Sequence, residues 1–375
     1  MNAVTALAGG VFEVSVADDT AELRRLVDDI GRRSFDARAG RRARPEDFDA
    51  ALWRTLEETG FARLTSTAEL GASPAELAVV LRGLARHAGA VPIVETDLLA
   101  AWLASTAGLT LPEGGPLTVA YADATATGGR VTGTAIGVPW ARAATAVVLA
   151  ARTPETLLVG LLASPQVDCG HNLAGEPRDR VSFDLPAEEL TRLDIAVGDE
   201  LARRGAWARC MQVIGALDAA AELSVAHTKE RVQFGRPLRG FQAVQHALAV
   251  VAGEIERARA AATLAVAAAC DHGFAAAATD YAVTVAKVVL GRAVREVSTI
   301  AHQLHGAIGV TAEHPLWLAT LRAQSWVDEF GSTGHHARRL GRVALGSDDV
   351  WDMLIGNDLS AWTKPRCRSP ERFAP

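Results

Sequence analysis

Lysine is almost missing from this 375-residue chain: Lys229, Lys287 and Lys364 are all there is. Arginine carries nearly all the positive charge, and acidic residues outnumber it, leaving a formal net charge of −6. That balance argues against nucleic acid or an anionic membrane as the main partner. The one basic run, Arg38, Arg41, Arg42 and Arg44, is flanked by Asp36, Glu46 and Asp47 and reads as a solvated loop. Cysteine is also scarce. Cys169, Cys210, Cys270 and Cys367 lie far apart with no CxxC pair, which excludes a disulfide framework and reads as reduced core fillers of a cytosolic protein. Long apolar runs are lacking too; the alanine-rich stretch 258–270 is interrupted by arginine and too poor in large side chains to span a bilayer. The N-terminus shows no cationic start followed by an apolar run, so a cytoplasmic location is expected.

Several catalytic signatures are likewise absent. There is no P-loop, GxGxxG or HExxH. Gly331-Ser332-Thr333-Gly334 falls short of a nucleophile elbow because Phe330 stands where glycine is required. His302 and His305 are three apart and His335 and His336 adjacent, but a di-iron bundle needs Glu-x-x-His on two helices. No metal ligand set is expected.

What is present is a helical chain with a β insert. With 49% hydrophobic residues, the chain can build two or three packed units. Asp19 or Thr20 can cap a first helix with Leu23, Leu26, Val27 and Ile30 on one face. Pro45 is expected to open a second helix that Gly60 closes, and Ser73-Pro74-Ala75-Glu76 is a capping box with proline at the first helical position. A further apolar helix fills 95–107. After the breaker cluster 111–116, short Val/Thr/Leu runs at Leu117–Tyr121, Arg130–Thr134, Ala146–Ala150 and Leu157–Leu162 read as strands. Long helices follow near 195–231, 240–271, 275–304 and 314–345, with Gly273 and Gly306 at two ends. Val244, Leu248, Val251 and Ile255 recur at helical spacing, as a bundle core requires. The expected domains are an N-terminal helical domain (1–112), a middle β-barrel domain (113–193), a C-terminal four-helix bundle (194–345) and a tail (346–375). That tail carries Trp351, Met353, Leu354 and Ile355 and is expected to pack on the bundle or a neighbouring subunit.

The most informative stretch is Arg231-Val-Gln-Phe234-Gly235-Arg236-Pro237 followed by Phe241-Gln242. An arginine fork at such a corner suits a pyrophosphate, and Gln242 adds an amide at the mouth of the next helix. This segment resembles the Arg-x-x-Phe-Gly…Phe-Gln signature of the acyl-CoA dehydrogenase family. Gln303-Leu-His-Gly306-Ala307-Ile-Gly309 resembles the family's Gln-x-x-Gly-Gly-x-Gly turn, with Ala307 in place of the second glycine. The resemblance covers roughly residues 15–345 and implies the acyl-CoA dehydrogenase fold, mainly α with a β insert. It implies that Arg231, Phe234, Gln242, Gln303, Gly306 and Ala307 contact the adenylate half of FAD across a subunit interface. It also implies an acyl-CoA thioester as substrate and an electron-accepting flavoprotein as redox partner.

The family's reaction takes a proton from the carbon beside the thioester while a hydride leaves the next carbon, so a carboxylate base is required. Counting forward from Arg322, the usual glutamate position falls on Gly331; the rarer position, upstream of Arg231, falls on Gly205. Glu329, two residues before Gly331, is the candidate base. The β insert departs as well. The family's flavin-ring segments correspond to 120–127 and 131–140 here, and Pro139 stands near the expected threonine with neither hydroxyl nor N–H to offer. The adenylate-side signatures are kept while the ring-side ones are largely gone. The resemblance is therefore strongest to the non-catalytic subunit of heterotetrameric family members, which lends its corner to a partner subunit's FAD. A complete homo-oligomeric dehydrogenase using Glu329 is the alternative.

Overall fold

The computed structural model describes Leu7, residues 20–40 and 44–355, Leu359 and Trp362. Two compact units emerge, each assembled from separated segments: Leu26–Ser73 with Ala88–Gly205, and Met1–Arg25 with Pro74–His87 and Ala206–Pro375.

In the first unit, helix α1 (Ala21–Ala37) buries Val27 and Ile30 but leaves Leu26 exposed, a narrower apolar face than the spacing suggests. Helix α2 (Ala50–Glu58) is not opened by Pro45. Asp49 caps it, its carboxylate accepting the Leu52 N–H at 3.0 Å, an acceptor proline lacks. The apolar segment expected at 95–107 is a π-helical stretch, Val94–Ala101, running into helix α4 (Trp102–Ala107). Its widened turn buries polar side chains that are all answered. The Thr96 hydroxyl donates to the Leu117 carbonyl and accepts its N–H, and the Asp97 carboxylate accepts the Thr65 and Ser66 N–H groups.

All four expected strands form: β1 (Leu117–Thr127), β2 (Arg130–Pro139), β3 (Ala146–Arg152) and β4 (Thr156–Leu162). Three more join them, β5 (Gln166–Asp168), β6 (Arg178–Pro186) and β7 (Thr191–Asp194), in the order β5-β6-β2-β1-β3-β4-β7. Strand β1 changes partner midway: Leu117–Asp123 pair with β3 in parallel, and Ala124–Thr127 pair with β2 antiparallel. The two halves of the sheet therefore wrap one core, in which Ala120, Val131, Val147, Leu149, Val181 and Phe183 meet.

The second unit is a helical bundle. Helix α3 (Pro74–Arg86) begins on its proline as expected. It packs on α6 (Gln242–His272) and is bridged to the later part of α5 (Ile195–Glu230); α6 packs on α7 (Ala277–His305), and α7 in turn on α8 (Leu316–Asp328) and α9 (Thr333–Leu345). Gly273 and Gly306 end α6 and α7 at positive φ, +72° and +64°, as glycine allows, but ψ of 170° and −141° makes neither the left-handed helical cap expected. Trp207 is fully buried, its indole N–H donating to the Ala265 carbonyl at 3.1 Å. Asp218 of α5 bridges two buried arginines, Arg82 of α3 at 2.8 Å and Arg259 of α6 at 2.9 Å.

The single helix expected over 314–345 is two. It breaks at 329–332, where Phe330 and Gly331 take φ of +55° and +100°, which no helix tolerates. The tail turns back on the bundle: Met353 is buried within the short helix α10 (Val350–Leu354), and the Trp362 indole donates to Asp280 of α7 at 2.9 Å.

Where α3 crosses α5, only glycine fits. A Cβ on Gly215 would stand 2.1 Å from the Arg82 carbonyl oxygen, which as backbone cannot step aside cheaply. Gly215→Ala should destabilise the bundle by about 1–3 kcal/mol or more, read as a lower urea midpoint; an unchanged midpoint would show that the crossing is looser than described.

Candidate functional site

Three places in the bundle bear on chemistry: the corner after α5, the turn after α7, and the break between α8 and α9. The first is built by a tight hairpin. Strands β8 (Val232–Gln233) and β9 (Arg236–Pro237) pair across Phe234-Gly235, whose φ values of +52° and +80° make the primed turn that suits a two-residue hairpin. Phe234, a bulky residue held at positive φ, is 90% exposed. The Arg236 guanidinium lies 4.1 Å over the Phe241 ring, fixing the corner from which α6 starts at Gln242. Arg231 follows the last residue of α5 and stays exposed.

The second place is the C-terminal end of α7. Gln303 lies in its last turn, and Gly306 and Ala307 form the following turn; all three are exposed. Tertiary structure sets the ends of α5 and α7 side by side. His227, whose carbonyl accepts the Arg231 N–H, stacks on His305 with ring centroids 4.5 Å apart. His305 in turn lies 4.6 Å from the His314 ring. The pairing of His302 with His305 suggested by spacing is not the one formed: His302 instead bonds Thr320 at 3.0 Å. His227 and His314 were invisible as a set because three separate segments supply the cluster.

At the third place two buried cations decide the geometry. Lys287 of α7 donates to the carbonyls of Val327 and Glu329, both at 2.7 Å, so its ammonium closes the C-terminus of α8. Burial pushes that ammonium down to about 8, against the pull of Cys210 and Glu329. Arg209 of α5, 2% exposed, donates to the Glu329 carboxylate at 2.6 Å and to Gln212 at 2.6 Å. Glu329 is thus the partner that makes burial of Arg209 tolerable. The two other positions where a base was expected hold no proton acceptor. Gly205 is buried in α5, and a Cβ on Gly331 would meet the His336 ring at 2.7 Å. Lys287 sits at helical spacing among Val283, Ala286, Leu290 and Val294, so its burial was readable from sequence; its carbonyl partners were not.

In the sheet unit, Pro139 ends β2 opposite Arg178 and its carbonyl accepts the Thr118 hydroxyl at 2.6 Å. The Tyr121 hydroxyl is occupied by Arg152 at 3.3 Å.

Residues 199–345 match the family model for the acyl-CoA dehydrogenase C-terminal domain. The chain is 30% identical over 322 residues to the acyl-CoA dehydrogenase IpdE2 of Mycobacterium tuberculosis, covering 81% of this chain and 88% of that one. Against IpdE2 of Mycolicibacterium smegmatis the identity is 29% over 307 residues, covering 78% and 88%. Among solved structures, a chain of the ChsE4-ChsE5 complex from Mycobacterium tuberculosis superposes with a TM-score of 0.77 at 22% identity, covering 90% of this chain and all of that one.

His336 gives this region a pH signature. Burial and the nearby Lys287 charge push its imidazole from 6.5 down to about 3, while its Nε2–H donates to the Phe330 carbonyl at 3.2 Å. Between those values the unfolded chain binds the extra proton, so the stability due to neutral His336 is complete above pH 6.5 and is lost as pH falls towards 3. The slope is up to about 1.4 kcal/mol per pH unit. His336→Asn should flatten the fall of the urea midpoint between pH 6 and 4 by nearly one proton; an identical slope in the variant would show that the native ring protonates freely.

Proposed function

The chain belongs to the acyl-CoA dehydrogenase family, and from that premise we propose that it is the lending subunit of a hetero-oligomeric acyl-CoA dehydrogenase. It supports α,β-dehydrogenation of an acyl-CoA thioester by presenting Arg231, Gln242 and Gln303 to the adenosine-diphosphate half of a partner subunit's FAD. One observation carries the reading: the helical corner is built and exposed, while every base position of this chain is empty or already engaged. Arg231, Phe234, Gln242, Gln303, Gly306 and Ala307 are all exposed. The residue that could act as base, Glu329, is held by a buried guanidinium.

The donor set fits the nucleotide end of the cofactor. A guanidinium offers a bidentate fork to phosphate oxygens, and the N-terminal end of α6 adds backbone N–H groups and a favourable dipole beside Gln242. Gly306, at positive φ, lets backbone approach a ribose or phosphate without a Cβ in the way. The ring end fits poorly, since Pro139 has no N–H. FAD supplies the hydride acceptor when bound; this chain's residues bind and orient its tail. The thioester's α-proton is taken by a carboxylate of the partner subunit, and the electrons leave through an electron-accepting flavoprotein. The ChsE4-ChsE5 structure is itself a complex of two differently named subunits, which supports a hetero-oligomer here. Among the described residues no helix is long and apolar enough to cross a membrane.

Expressed alone, the chain should be colourless and inactive; co-expressed with a catalytic acyl-CoA dehydrogenase subunit, it should yield a yellow complex. A yellow preparation of the single chain that dehydrogenates an acyl-CoA would overturn the reading. In the complex, Arg231→Ala should weaken FAD retention by about 10–100-fold, the cost of a charged hydrogen-bonding pair. Glu329→Gln should leave turnover of the folded complex within about twofold, because a transition-state contact would cost tenfold for each 1.36 kcal/mol. A collapse of kcat at unchanged FAD content would instead identify Glu329 as the base.

A further inference from the structure

The histidine cluster joining the two corners has the features of a ligand site. His227 comes from the last turn of α5, His305 ends α7, and His314 precedes α8. Their ligand atoms all lie within 4.8 Å of one another. His305 is the key member. Its Nδ1–H donates to the Ala301 carbonyl at 2.7 Å, which fixes the tautomer and leaves the lone pair on Nε2. Among the described residues that buried Nε2 has no hydrogen-bond partner, on a residue 5% exposed. A buried acceptor without a donor is costly, and the arrangement is the one in which metal-bound histidines are held, the second ring nitrogen donating to a backbone carbonyl.

We propose that His227, His305 and His314 bind a zinc-class divalent metal, with the fourth position left to water. Three histidines and one open position form a recurrent zinc coordination set. Zinc–nitrogen bonds of about 2.0–2.1 Å place tetrahedral ligand nitrogens about 3.4 Å apart, so the cluster has to contract by little more than an ångström. His227 and His314, both half-buried, are free to turn inward around the fixed His305. His314 must release one contact, since its Nδ1 accepts the Leu316 N–H at 3.2 Å. Burial and the other rings lower the proton affinity of His227 and His314, so both are available as neutral ligands. Beside His227 the charge of Arg231 is offset in part by Glu230. The bound metal would pin the end of α5 to the end of α7, and hence Arg231 to Gln303. The proposal stands without the nucleotide reading.

Untagged full-length chain titrated with Zn2+ should bind one equivalent per chain by calorimetry, and Co2+ should give the visible absorption of a tetrahedral site. Chelator-reversible elevation of the thermal midpoint should accompany binding. His305→Ala tests the buried ligand, and His227→Gln and His314→Asn test half-buried ones whose loss the fold tolerates. Each should weaken Zn2+ binding by more than the about tenfold that losing an outer-shell partner costs, whereas His272→Gln, at the exposed end of α6, should bind as wild type. Absence of saturable binding would overturn the proposal and leave the cluster as packed neutral imidazoles. So would affinity unchanged in both His227→Gln and His314→Asn. Arg231→Ala should keep its metal, so this proposal and the FAD-lending reading fail separately.

Discussion

Two cations with almost no access to water, Arg209 and Lys287, set the terms for the segment after α8. A buried charge without a partner is among the most destabilising features a core can carry. Here the partners are the Glu329 carboxylate and the carbonyls of Val327 and Glu329. The backbone therefore has to leave the helix at 329, and Phe330 and Gly331 take positive φ to let α9 start in a new direction. A segment so engaged serves the fold. Its carboxylate and carbonyls answer the charges of the interior.

The opposite holds at the ends of α5 and α7. There the hairpin, the Arg236–Phe241 stack and the positive φ of Gly306 shape the backbone while leaving side chains exposed. Phe234, almost wholly exposed at a strained φ, is costly for an isolated chain and makes sense for one whose corner is covered in an assembly. The bundle interior holds charges that are neutralised there, and its end leaves polar side chains exposed.

Much of this was legible in the residues. Strand runs at 117–121, 130–134, 146–150 and 157–162 formed where short Val/Thr/Leu runs between turn residues placed them, and Pro74, Gly273 and Gly306 punctuate helices as their backbone preferences demand. Failures came where a local preference met a competitor. Pro45 lost the second helix start to Asp49, whose carboxylate can accept an amide proton. The helix expected over 314–345 lost to the turn that answers Lys287. Strands β5, β6 and β7 were missed because their partners are distant and their own patterns are short or polar.

Sequence by itself determined which groups are available: an arginine-led corner, a glycine turn, and glycines at the two positions where the family resemblance led us to expect a base. Local chemistry is enough for that, because turn residues and missing side chains act through their own backbone. Only the tertiary structure decided what those groups face. The partner of Glu329 lies on α5, the lysine beneath it on α7, and the three clustered histidines on segments far apart in the chain. Ion pairing and shared coordination depend on distances of a few ångströms, and helix packing fixes those distances where no spacing rule in the chain can.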